Sequence, residues 1–181
     1  MSVFHLSEAA NITRFEPRPV AVPSARPPGM AWLNGPLVWA IDDWHQPLYL
    51  FPRDAPRLLA WAVPPTSSAD RLLLPEGARM IAFVEAGWMD RIAAATVYRY
   101  ALPEGPFEAL GDAGMWISRR TVLPEWMDAI GDLPGALAAA GVMLRAVPSL
   151  GPMMTLYDTS LQVSGIRLRN RADAAVVAGA R

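Results

Sequence analysis

Cysteine and lysine are both missing from this chain of 181 residues, and histidine occurs only twice. Each absence removes a class of chemistry. Without thiols there are no disulfides, thiolate nucleophiles, zinc ribbons or iron–sulfur clusters. Without lysine there is no Schiff-base amine, phosphate-loop lysine or lysine general base. His5 and His45 are too few for a multi-histidine metal centre, and no D-x-D cluster offers magnesium its carboxylates. The glycine-rich phosphate cradles G-x-G-x-x-G and G-x-x-x-x-G-K-[ST] do not occur, nor do the serine elbow G-x-S-x-G and the zinc motif H-E-x-x-H. Phosphate recognition, in such a chain, falls to arginine forks and backbone N–H groups.

Charge and long apolar runs are equally sparse. Sixteen basic residues, all arginine, meet seventeen acidic ones for a net charge of −1, so no global field draws the chain toward nucleic acid or an anionic bilayer. The first ten residues, MSVFHLSEAA, lack the basic stretch and apolar run of a signal peptide. Uncharged runs such as 27–41 are broken by Pro and Gly and fall short of the roughly 18 residues that span a bilayer. The expectation is a cytoplasmic protein without a membrane segment.

What is plentiful is apolar and aromatic surface. Hydrophobic residues make up 52% of the chain and charged ones 18%, a globular balance sufficient for one domain with a real core. The patterning predicts strands over 2–7, 37–42, 57–63, 79–85, 96–102, 115–123, 142–147 and 163–170. It predicts helices over 7–12, 66–74, 86–94, 133–140 and 149–162, with a turn or so of helix at 47–51. Six prolines between Pro17 and Pro36 make 16–36 a long loop, and 171–181 reads as a C-terminal tail. Short helices mixed irregularly with strands predict an α+β fold: a single domain over 1–170 with a mixed, mostly antiparallel sheet.

The densest polar punctuation lies in LVWAIDDWHQPLYLFPRDAP, residues 37–56. Asp42 and Asp43 are adjacent, would point to opposite faces of a strand, and so predict a capped turn rather than a proton-sharing pair. Near the other end, IRLRNR places Arg167 and Arg169 on one side of a predicted last strand, which reads as a solvated edge resisting further pairing.

Two resemblances rest on particular residues. The opening H-L-S-E-A-A-N-I-T-R-F, with His5, Ser7, Asn11, Ile12 and Phe15 in the matching positions, resembles the start of ADP-ribosyltransferase-fold proteins of the DNA-modifying toxin type and, more remotely, of RNA 2′-phosphotransferases. Over nearly its full length the chain is similar to a small family of uncharacterised bacterial proteins. These share the H-[FL]-S-E start, Phe15-x-Pro17-Arg18, the VWAID…H…YLFPRD block and a terminal S-x-I-R-x-R-N over 164–170.

The transferase resemblance implies an ADP-ribosyltransferase-like fold and NAD or another nucleotide as cofactor. It assigns His5 to a ribose, Tyr49 to the nicotinamide face, and Arg18 and Arg53 to the pyrophosphate. In the late motif, where such transferases carry a Glu four residues before a Pro, R-R-T-V-L-P puts Arg120. That departure favours phosphate handling over Glu-dependent chemistry. The resulting expectation is an ADP-ribosyl- or 2′-phosphotransferase in which His5, Tyr49 and one or more of Arg18, Arg53 and Arg120 converge in one cleft. The alternative is a non-catalytic binding protein that keeps the fold.

Overall fold

The computed structural model describes residues 2–173. They form an α+β fold of mostly antiparallel sheets with a few short helices. The chain divides into two compact units, each discontinuous in sequence.

The first unit comprises Met1–Gln46 and Tyr98–Ala129. Its strands are β1 (Ser2–Ser7), β2 (Val38–Ile41), β5 (Val97–Pro103), β6 (Glu108–Ala109), β7 (Met115–Ser118) and β8 (Trp126–Ile130). They join in the order β6-β7-β2-β1-β5-β8. The antiparallel register sets Phe4 opposite Ile41 on one side and His5 opposite Tyr100 on the other. Apolar alternation then delivers Val3, Phe15, Val38, Ala40, Tyr100 and Leu102 to one buried cluster. Tyr100 is nearly inaccessible, and its hydroxyl donates to the Ala9 carbonyl at 2.6 Å, so the one polar atom on that ring has a partner.

The second unit comprises Pro47–Val97 and Ile130–Arg181. Its sheet runs β10-β3-β4-β9, from β3 (Arg57–Trp61), β4 (Met80–Glu85), β9 (Val142–Val147) and β10 (Gln162–Ile166). All pairs are antiparallel except β4 with β9. Every residue of β3 is buried, as its unbroken R-L-L-A-W run requires of a strand covered on both faces. Among the described residues the α-helices are short, α1 (Ser68–Arg71), α2 (Met89–Ala94) and α3 (Leu133–Ala139), and 3₁₀ turns accompany them.

Several expectations are corrected. Residues 7–12 form no helix; the Ser7 hydroxyl accepts the Ala9 N–H at 3.1 Å, a local turn that competes with helix formation. The helix expected over 149–162 is a 3₁₀ run, Gly151–Asp158, opened by Pro152. The strand expected over 115–123 stops at Ser118, whose hydroxyl bonds back to Arg120. The last strand stops at Ile166 because Arg167 enters the left-handed region at φ 55, and Leu168–Asn170 form a 3₁₀ turn. Arg167 and Arg169 therefore do not alternate along a strand. The short strands β6 and β8, E-A and W-M-D-A-I, carry no apolar alternation that marks a strand. Of the expected tail, residues 174–181 lie outside the described residues, whereas the Ala172 N–H is held by the Glu85 carboxylate at 3.0 Å.

A candidate anion site around Arg57

Register brings two separated motifs together in the second unit. Pairing of β10 with β3 sets Ile166 opposite Arg57, so Arg167 arrives beside the segment that precedes β3. The Arg167 Nε donates to the Arg53 carbonyl at 3.2 Å and lies 3.9 Å from the Asp54 carboxylate. Asn170 Nδ2 donates to the Asp54 carbonyl at 2.8 Å. Thus YLFPRD and IRLRN, more than a hundred residues apart, form one structural feature.

Arg57 is its centre. This side chain is 2% exposed, and its guanidinium donates from Nε to the Leu48 carbonyl at 2.8 Å and from Nη1 to the Ala55 carbonyl at 2.9 Å. It also lies over the rings of Tyr49 and Phe51, at 5.7 and 5.1 Å from the centroids. Among the described residues no carboxylate forms an ion pair with it. Burial accordingly pushes the Arg57 pKa down to about 10, with the Tyr49 phenol opposing the shift and the Arg167 charge adding to it. The group still carries its proton at neutral pH.

Arg167 is depressed too, first by its partial burial, then by the charges of Arg169 and Arg53; Asp54 and Tyr49 pull the other way. The Arg167 charge therefore acts on Arg57, and those of Arg169 and Arg53 act on Arg167, with Asp54 the carboxylate set against them among the described residues. Such an arrangement is costly in itself and is relieved by an anion. Planar forks suit phosphate, and the half-buried Tyr49 adds a flat face beside them. No group of three or more potential metal ligands occurs among the described residues.

The expected site residues are distributed as follows. Tyr49 and Arg53 belong to this cluster. His5, Arg18 and Arg120 lie in the first unit. There the His5 ring donates from Nδ1 to the Trp39 carbonyl at 2.8 Å and packs against Phe15, 4.8 Å between centroids. Arg18 is exposed and bridges Leu37 through its backbone, and Arg120 is exposed in the bend that follows β7. Local pattern presents Arg57 as the first residue of an apolar strand and Arg167 as part of a solvated edge, so periodicity marks neither for this cluster. A charged residue opening a strand otherwise wholly apolar was the available signal for Arg57. Nothing local marked Arg167, because only sheet register carries it to the site. Two open depressions, about 360 and 570 Å³, are lined by other residues: Pro17, Trp32, Pro36, Leu37 and Arg119 in the first, and the 71–79 segment with Ala62 in the second.

A family of unknown function, DUF6886, matches residues 4–171. No curated protein and no solved structure matches the chain, so the more remote resemblance to the ADP-ribosyltransferase fold finds no support.

Proposed function

Taking as premise that the chain belongs to DUF6886, a family of unknown function, we propose from the site itself that the second unit binds the phosphate of a nucleotide, NAD among the ligands of that class. The observation that carries this reading is Arg57, a protonated guanidinium buried with no carboxylate partner among the described residues, on which the Arg167 charge also acts. A pyrophosphate or phosphate supplies the missing negative charge, and Tyr49 offers its ring to a base or nicotinamide. Transferase chemistry of the ADP-ribosyl or 2′-phosphoryl type requires, in addition, a proton acceptor beside the bound sugar. Among the described residues, the carboxylate recorded beside the cluster, Asp54, is turned toward Arg167. Binding is therefore the reading that these residues support best, with turnover an added claim on groups outside the cluster.

The test is thermal unfolding of the full chain with NAD, ADP-ribose, ADP and inorganic pyrophosphate, against chloride at matched ionic strength. A ligand at ten times its Kd raises Tm by roughly 3–5 °C in a protein of this size. Arg167→Gln, at a partly exposed side chain, is expected to abolish the shift while leaving the unliganded Tm nearly unchanged. An unresponsive wild type, or a variant that responds as strongly as wild type, overturns the reading.

A further inference from the structure

The proline-rich loop belongs to the first unit, and much of it closes on one side chain. Asn34 ends the 3₁₀ turn Ala31–Asn34. Its side chain meets both polar groups of the Ser24 backbone: Nδ2 donates to the carbonyl at 2.9 Å, and Oδ1 accepts the N–H at 3.2 Å. The Arg26 Nε donates to the same Oδ1 at 3.4 Å, and the Asn34 carbonyl accepts the Val20 N–H at 3.2 Å. Pro23, Pro27 and Pro28 remove backbone donors inside this loop, so the Asn34 contacts carry much of what fixes its path. A carboxamide suits that clamp because it sets a donor beside an acceptor. A carboxylate would set an oxygen against the Ser24 carbonyl.

The next residue is equally constrained. The Gly35 N–H donates to the Trp32 carbonyl at 2.9 Å, and a Cβ on Gly35 would stand 3.0 Å from that same oxygen. The fold thus selects asparagine followed by glycine, the pair in which no side chain shields the following backbone nitrogen from the amide carbon.

We propose that Asn34–Gly35 is a modification site, at which the chain converts its own amide once the loop opens. The Gly35 nitrogen, its proton taken by hydroxide, bonds to Asn34 Cγ; the Cγ–Nδ2 bond breaks, and ammonia leaves with a proton from water. Water then opens one of the two C–N bonds of the resulting cyclic imide, which gives aspartate or isoaspartate. In the folded chain both reacting groups are engaged, the Gly35 N–H with Trp32 and the Asn34 amide with Ser24 and Arg26. After conversion the clamp cannot re-form, because the Nδ2 donor is gone. Isoaspartate also inserts a methylene into the main chain and displaces the carbonyl that holds Val20. The modification is a one-way release of the loop. It uses the first unit alone and does not depend on the arginine cluster.

The test follows each asparagine by peptide mass spectrometry of the full chain in warm, mildly alkaline buffer, with and without denaturing urea. Asn11 precedes Ile12 and Asn170 precedes Arg171, so both serve as internal references. In urea Asn34 is expected to convert roughly tenfold faster than either, because only its following nitrogen is unshielded. In the folded wild type Asn34 is expected to convert roughly tenfold more slowly than in urea, since reaction requires local opening. Gly35→Ala, read in urea where its folding does not matter, is expected to bring Asn34 down to the rate of the references. In isoaspartate-containing protein the Val20 and Ser24 amides are expected to exchange roughly tenfold faster than in unconverted protein. Four results each overturn the proposal: an Asn34 no faster than the references in urea, equal rates with and without urea, a Gly35→Ala rate equal to wild type, or unchanged Val20 and Ser24 exchange.

Discussion

At the scale of single residues, polar side chains here mostly serve the backbone, and the exceptions are informative. Asp70 is an ordinary case: it accepts from the hydroxyl and N–H of Ser160 and from Ser67, and these hydrogen bonds, Ser160 first, hold its pKa below the usual 3.8. A depressed carboxylate stabilises the fold fully above its unfolded pKa, and that contribution is lost as pH falls through the lower folded value. Ser160→Ala is expected to raise the Asp70 pKa back toward 3.8, measured by carboxyl-carbon NMR titration; an unmoved titration would contradict the assignment. Gly114 is sharper. With φ +69 and a neighbour 2.2 Å from any Cβ, it admits no side chain. Gly114→Ala is expected to cost roughly 2–4 kcal/mol in chemical denaturation. Arg57 belongs at this scale as well: its burial is decided by contacts with Leu48, Ala55, Tyr49 and Phe51, and its charge makes the surroundings a site.

Among the elements, short helices survive here through caps and burial rather than through propensity, since pieces of four to seven residues are unstable alone. The helix α3 shows how. Asp132 sits in the left-handed region at φ 44, its side chain accepts the Gly135 N–H at 3.2 Å, and Leu133 and Leu137 are fully buried. Asp132→Ala is expected to lower stability by about 1 kcal/mol, or roughly 2–4 °C in Tm, with Asp132→Asn retaining most of it. Equal melting of the two variants would show that the cap contributes little. Strand ends obey similarly local rules. The Arg167 backbone leaves β10 through a left-handed residue, and that single dihedral turns what the sequence presented as an alternating basic edge into a corner that packs on Arg53 and Asp54. Helix and strand positions could be read because apolar periodicity is a local signal. Their ends could not, because they were set by dihedrals and by hydrogen bonds to distant segments.

Across the whole molecule, the strand whose burial is complete is β3, which is enclosed between β10 and β4 with every one of its residues covered. Hydrogen exchange is therefore expected to be slowest for amides of β3 and β4. It should be fastest for β6 and β8, which are short or partly exposed and stand at the two edges of the first sheet. Faster exchange in β3 than in β8 would contradict that order. No helix among the described residues is long and apolar enough to cross a membrane. By itself the sequence determined the α+β class, most strand positions, the excluded chemistries and the reliance on arginine for any phosphate, since composition and apolar periodicity are local properties. Tertiary structure decided that Arg57 is buried with no carboxylate partner among the described residues, that Arg167 joins it, and that Gly114 packs against the Asp42–His45 pair. Asp42 and His45 are three residues apart, but sheet register brings Arg167 to Arg53 and Asp54, and the fold brings Gly114 against the His45 ring, from far along the chain, and no spacing along the sequence encodes those two approaches.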